Sequence, residues 1–186
     1  MDANVLIPSY LRNTLLAVAT EGVYRPLWST QIWVEVVRNT PKVSPNIDME
    51  KASKRFERLR QQFCDAMVEG WQSLESAMTN PQGDRHVLAA AVAGNADGIV
   101  TENLKDFPEE SRQPYGLALH SPDDFLLDQL DLDPAAVLRA IGQQAAVTGY
   151  GNLPKLSSRE ILEKLRKKVP NFAAEASTAL PRWGLD

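Results

Sequence analysis

At 186 residues, 44% of them hydrophobic, the chain holds enough apolar material for one full core and a small appendage. A formal net charge of -4 excludes nucleic-acid binding through bulk charge, so any such contact has to be local. The single cysteine, Cys64, excludes an intramolecular disulfide, no apolar run reaches the roughly 18 residues of a membrane span, and MDANVLIPSYLRNTLL carries no basic, cleavable leader. A soluble cytoplasmic protein is expected, with the thiol packed as a small hydrophobe.

In chain order, Leu11, Leu15, Leu16 and Ala19 recur at helical spacing in PSYLRNTLLAVATEG, which Gly22 closes. YRPLW reads as a brief strand, and Ser29 as the N-cap of STQIWVEVVRN, where Ile32, Val36 and Val37 form an apolar stripe beside Glu35. After the loop TPKVSPN, the segment IDMEKASKRFERLRQQF is an amphipathic helix, with Ala52, Phe56, Leu59 and Phe63 on one side and Lys51, Lys54, Arg55 and Arg58 on other faces. Residues 65 to 78 read as helical. NPQG is a turn, and DRHVLAAAVAGNA is an alanine-rich, buried helix opened by Asp84. DGIVT and YGLALH are strands separated by an acidic turn, and SPDDFLLDQL restarts a helix behind Ser121 and Pro122. This alternation predicts an α/β domain with a central parallel sheet over residues 1–126. Beyond it, DPAAVLRAIGQQAAVTG, a GNLP break, SSREILEKLRKKV with a Ser157/Glu160 capping box, and PNFAAEASTAL predict a C-terminal helical extension over residues 127–186.

In sheets of this kind ligands gather beyond the carboxyl ends of the strands. Asp2, Asp84 and the turn from Thr101 to Asp106 occupy such junctions, and Glu35 points toward the same end, so separate segments converge on one acidic cleft. Crowded carboxylates require a cation or shared protons. An all-oxygen set without a cysteine–histidine cluster favours Mg2+ or Mn2+ over structural zinc, and such ions activate water and stabilise charge on a phosphodiester.

The ordered blocks DANVLI at residues 2–7, Ser29 with Glu35, and DRHVLAAAVAGNADGIVTENLKDFP from Asp84 resemble a PIN domain, specifically the VapC-like ribonuclease toxins of bacterial toxin–antitoxin pairs. The resemblance covers about residues 2–126, and the helical tail is similar to the C-terminal extension of one VapC-like subgroup. It implies a three-layer α/β/α fold and a metal-dependent endoribonuclease that leaves a 5'-phosphate and a 3'-hydroxyl. Asp2, Glu35 and Asp84 become metal ligands or water-activating carboxylates. Asp106 is expected as the fourth carboxylate, with Asn103 helping through a water or hydrogen bond, and Thr101 caps the turn or holds a water. The resemblance also implies an RNA substrate, with transfer RNA as the family-based choice, a homodimer, and a cognate antitoxin.

Arg12, Arg85, Lys105 and the helix from Lys51 to Arg60 are candidates to steer RNA, and KLRKK at residues 164–168 is a second basic run, weighed against an ordinary solvated face. His86 either contacts substrate phosphate or, as preferred, is a structural or surface histidine. Trp28, Trp33, Trp71 and Trp183 are expected in the core or at an interface. One departure stands out: the family's first aspartate follows a short apolar strand, whereas here only Met1 precedes Asp2, so that strand is expected to be truncated and Asp2 to fray. The rival reading is a catalytically weak or inactive PIN-like module that binds RNA or a protein.

Overall fold

The computed structural model describes residues 1–149, 151 and 153–184; Asn152 of the predicted GNLP break lies outside them. Helices run over Ala3–Leu6 (α1), Ser9–Thr20 (α2), Thr30–Val43 (α3), Met49–Gln62 (α4), Gln72–Glu75 (α5) and Arg85–Ala93 (α6). Strand β1 (Gly98–Val100) follows, then α7 (Glu109–Arg112), β2 (Ala118–His120), α8 (Pro122–Leu132), α9 (Pro134–Ala146), α10 (Ser158–Leu165) and α11 (Pro170–Ala179). The chain forms two compact units, one of Met1–Pro8 with Pro26–Ser121 and one of Ser9–Arg25 with Pro122–Asp186.

The first unit is a mixed helix–strand body around a small parallel sheet. β1 pairs with β2 in parallel, Gly98 opposite Ala118 and Val100 opposite His120. On the other side of β1, the Asp2 N–H donates to Val100 O at 3.1 Å, while the Met1 amine donates to Leu27 O at 2.9 Å. Met1 and Asp2 form no strand, and these two hydrogen bonds tie them beside β1 and to Leu27. Asp2 is not frayed: it is only 4% exposed. The predicted YRPLW strand shrinks to Trp28, which bridges Met67 in parallel; Pro26 has no N–H to give a ladder.

Two neighbouring segments also differ from expectation. α3 continues through Pro41 to Val43, because Ser44 N–H still finds Thr40 O at 2.8 Å and the Thr40 hydroxyl donates back to Val36 O. Residues 65–78 are mostly not helical: Trp28 claims the backbone of Ala66 and Val68, and Gly70 at φ +74° turns the chain before α5. The predicted aromatic core does form. Trp33 stacks on Phe56 of α4 at 4.4 Å, and Trp28 meets Trp33 and Phe63 edge to face. Trp183 stays 48% exposed, and Cys64 is exposed rather than buried, in a short turn that points it beside Asp65.

α6 packs against α5 and α3 within this unit. Its alanine-rich middle is buried through residues 86–91, and it stops at Gly94, where an added Cβ would lie 2.8 Å from Val68 Cγ2 and 3.1 Å from Ala90 O. A Gly94→Ala change is expected to destabilise the protein by about 1–3 kcal/mol, measured by denaturant unfolding, because neither a valine methyl nor a helix carbonyl gives way freely.

The second unit is all helical among its described residues. It runs from Pro122 onward and takes in residues 9–25, where the stripe Leu11, Leu15 and Leu16 packs α2 against α9. Tyr24 donates to Leu15 O at 2.7 Å and meets Phe125 edge to face. The Ser157/Glu160 capping box opens α10, and Asp123 of α8 accepts from Asn171 and Phe172 N–H, capping α11 from outside its own sequence.

Candidate active site

β1 ends at Val100 and hands the chain to Thr101, which is fully buried. The Thr101 hydroxyl donates to Asp2 Oδ2 at 2.6 Å and accepts from the Asn103 N–H at 3.0 Å. Asn4, in the first turn of α1, donates its amide to the same Asp2 oxygen at 2.6 Å and to Thr101 Oγ1 at 2.9 Å, while its Oδ1 accepts from Glu102 N–H at 3.0 Å. Asp2 is therefore held by two side-chain donors that are themselves tied to the turn after β1. A buried carboxylate is tolerable only with such partners. Asn4 had no assigned role; the signal for it was a lone amide two residues from an aspartate in an otherwise apolar run.

Asp84 sits at the N-cap of α6, half-buried. Its carboxyl is held above the ordinary aspartate range, first by burial, then by the neighbouring charges of Asp2 and Asp106, with Glu35 adding and His86 opposing. Four acids from four separate segments are thus neighbours: Asp2 before α1, Glu35 on α3, Asp84 on α6 and Asp106 in the turn after β1. Asn80 buttresses that turn, its amide donating to Asp106 O at 3.3 Å.

Glu35 and His86 form the internal pair of the cluster, His86 Nε2 lying 3.4 Å from Glu35 Oε1. Burial alone would push the His86 imidazole down, but Glu35, Asp2 and Asp84 outweigh it and hold its pKa above the ordinary value. Burial likewise pushes Glu35 up, and His86 with Arg38 and Gln31 brings it net below the usual range.

The candidate RNA contacts divide. Lys105 is exposed next to Asp106, and α4 keeps Lys51, Lys54, Arg55 and Arg58 exposed. Arg85 is half-buried with its Nε donating to Asn80 O at 3.0 Å. Arg12 is 7% exposed, belongs to the second unit and donates to Asn13, so the expectation of an open contact there is corrected by its burial. His86, 5% exposed, is the structural histidine of the preferred reading, facing Glu35 inside the protein rather than a phosphate outside it. Ser29 is the N-cap foreseen for α3, accepting from Ile32 N–H at 3.3 Å. Asn103 contributes its backbone N–H, and its side chain is exposed.

The comparisons with known proteins bear on the family and on the second unit. The chain is 44% identical over 116 residues to the Mycobacterium tuberculosis (strain ATCC 25618 / H37Rv) protein named "Putative ribonuclease VapC50", covering 62% of this chain and 67% of that one. The chain belongs to the VapC-like family of toxin ribonucleases. Residues 122–178 match the model of the VapC50 C-terminal domain, which places this VapC-like protein's family-specific segment on α8 to α11. No solved structure matches the chain significantly.

In a VapC-like protein the donor set is informative. Asp2, Glu35, Asp84 and Asp106 supply only hard oxygen atoms, which suits magnesium or manganese rather than a soft metal. They are neighbours without being a closed ligand set: among the described residues no three Asp, Glu, His or Cys side chains already enclose a common point. Asp2 Oδ2 faces Thr101 and Asn4, and Glu35 Oε1 faces His86.

Proposed function

We propose that this chain is a divalent-metal-dependent endoribonuclease, the toxin of a toxin–antitoxin pair, built on a three-layer PIN-type fold. What carries the reading is the gathering of Asp2, Glu35 and Asp106 from three other segments around Asp84, whose carboxyl they raise, in a chain 44% identical over 116 residues to a protein named as a ribonuclease. Repelling carboxylates lower the stability of a fold unless a cation resolves them, so a site that keeps four is built for one.

Asp2, Glu35, Asp84 and Asp106 would hold Mg2+ or Mn2+, with Asn103, whose N–H donates to Thr101, helping through a water or hydrogen bond. Bound there, the ion would activate water and stabilise the charge that develops on a phosphodiester. The protein's own share is positional. Thr101 and Asn4 fix Asp2, α6 delivers Asp84 from its N-terminus, and the turn after β1 delivers Asp106. Lys105 and the exposed basic residues of α4 offer local positive charge to an RNA backbone on a chain whose net charge is -4. An RNA substrate and an antitoxin partner belong to this reading, as do a homodimer, transfer RNA as the RNA cut and a cytoplasmic setting. Among the described residues no helix is long and apolar enough to cross a membrane.

The test is cleavage of a transfer-RNA pool by the purified chain with Mn2+, with Mn2+ plus chelator, and without added metal. Cutting that requires the ion and stops with chelator is expected. Binding of the RNA with no cutting under any metal condition would replace the enzyme with the non-cutting PIN-like module.

A further inference from the structure

We infer that His86 is the positioning residue for Glu35: from the N-terminal turn of α6 its imidazole fixes the α3 carboxylate relative to Asp84, and it makes no contact with RNA. The inference rests on the metal-dependent reading of the carboxylate cluster and assigns a residue that the reading leaves idle.

Four observations support it. The two side chains come from different helices, yet Nε2 lies 3.4 Å from Oε1, with the imidazole 6% and the carboxylate 22% exposed. Nε2 is fully buried and makes no hydrogen bond of good geometry, and Glu35 Oε1, 3.4 Å away, is the carboxylate oxygen beside it. The indole of Trp71 lies 6.2 Å from the imidazole at 60°, limiting how far the ring can swing. Finally, α6 carries Asp84 at its cap and His86 two residues later, so one helix end supplies a carboxylate and also the group that steers a second carboxylate from α3.

The chemistry follows from what a carboxylate needs in a crowded site. Glu35 has several rotamers, and its acidic neighbour Asp84 repels it. A proton on Nε2, present in the imidazolium and in one neutral tautomer, gives Oε1 a partner without occupying Oε2. One oxygen is then oriented while the other stays available. Partners of this kind around metal-binding carboxylates typically alter metal affinity or activity about 10–100-fold when removed. A purely space-filling histidine would have no such effect beyond its contribution to folding.

The experiment compares wild type, His86→Phe and His86→Gln as full-length chains, reading the Mn2+ dissociation constant by calorimetry, kcat and KM on transfer RNA separately, and the urea midpoint. The phenylalanine variant is expected to weaken Mn2+ binding and kcat by about 10–100-fold with KM unchanged, and the glutamine variant, whose amide still donates, to recover most of both. A folded His86→Phe with wild-type Mn2+ affinity, or a His86→Gln as impaired as His86→Phe, overturns the inference. Nitrogen-15 NMR of the wild-type imidazole needs no bulky replacement: the Nε2 resonance is expected to move in Glu35→Gln, and an unmoved one overturns the contact. A wild type that neither binds Mn2+ nor cuts RNA removes the metal reading and this inference with it. A competent wild type with an indifferent His86→Phe removes this inference alone.

Discussion

Asp84→Asn is expected to abolish metal-dependent RNA cleavage and, at the same time, to make the protein more stable. Both effects come from the same crowding. Asp84 is raised by burial and by Asp2, Asp106 and Glu35, so its ionised form is disfavoured in the folded state. A folded-state pKa above the unfolded value means that the native protein binds the extra proton. Stability therefore falls as pH climbs from the ordinary aspartate range through the raised pKa, and stays lower above it. At neutral pH the asparagine removes that penalty. Because Asp84 is only half-buried, solvent screening keeps the gain to about 1 kcal/mol or less, which is a rise of roughly 2–4 °C in midpoint for a chain of this size.

The loss of activity should be far larger. A cation at such a site supplies several kcal/mol of transition-state stabilisation, and each ~1.4 kcal/mol is tenfold in rate, so a fall of about 10³-fold in kcat is expected. Thermal unfolding with and without Mn2+ provides the internal control: the ion should raise the wild-type midpoint and leave Asp84→Asn nearly unmoved. If the variant is less stable than wild type near pH 7, or if Mn2+ raises both midpoints equally, Asp84 is not a member of a repelling, cation-binding group.

Much of this was legible in the sequence, and the parts that were not share a cause. Asp2, Glu35, Asp84 and Asp106 were singled out in the sequence by separated blocks taken together in order, the pattern of the PIN-like resemblance. The capping box at Ser157 and Glu160 and the N-cap at Ser29 are local hydrogen bonds that local sequence encodes. What sequence could not encode is who meets whom across long separations. His86 read as a structural or surface histidine, but its partner, Glu35 at 3.4 Å, became visible only when α3 packed beside α6. Asn4 acquired its role only when Thr101, 97 residues away, closed on it. Trp28 takes its backbone partners from residues 66 and 68, so a stretch of acceptable helical pattern became an extended bridge instead. Likewise α2 has a helical stripe that sequence reading identifies correctly, but nothing local says that it joins α9 rather than the strands on either side of it.

The start of the chain shows the same limit from the other direction: no strand forms there, yet Met1 and Asp2 are tied by two hydrogen bonds, to Leu27 O and Val100 O, and the Asp2 side chain adds two more. Side-chain bonds thus do at Asp2 what a longer ladder would do elsewhere, which concentrates the integrity of the site on one hydroxyl.

That hydroxyl belongs to Thr101, and Thr101→Val is the expected result with the largest stability cost. Valine has nearly the same shape, so packing at this fully buried position is preserved while the hydrogen bonding is removed. Asp2 Oδ2 loses one of its two side-chain donors, Asn4 loses an acceptor, and the Asn103 N–H loses its partner. With buried groups left unpaired at about 1–3 kcal/mol each, and Asn4 keeping Asp2, a cost of roughly 2–4 kcal/mol is expected, or about 5–10 °C in thermal midpoint. Cleavage should fall at least about tenfold beyond any loss of folded protein, because Asp2 is then oriented by Asn4 alone. Thr101→Ser keeps the oxygen and drops only a methyl group worth about 0.8 kcal/mol, so it should remain close to wild type in both readouts. Serine and valine variants that behave alike would mean that the turn after β1 is held by shape. A valine variant that keeps its stability but loses its activity would mean that the hydroxyl serves the reaction alone. Only a joint loss in valine, reversed in serine, fits a residue that holds the sheet and the carboxylate with the same oxygen.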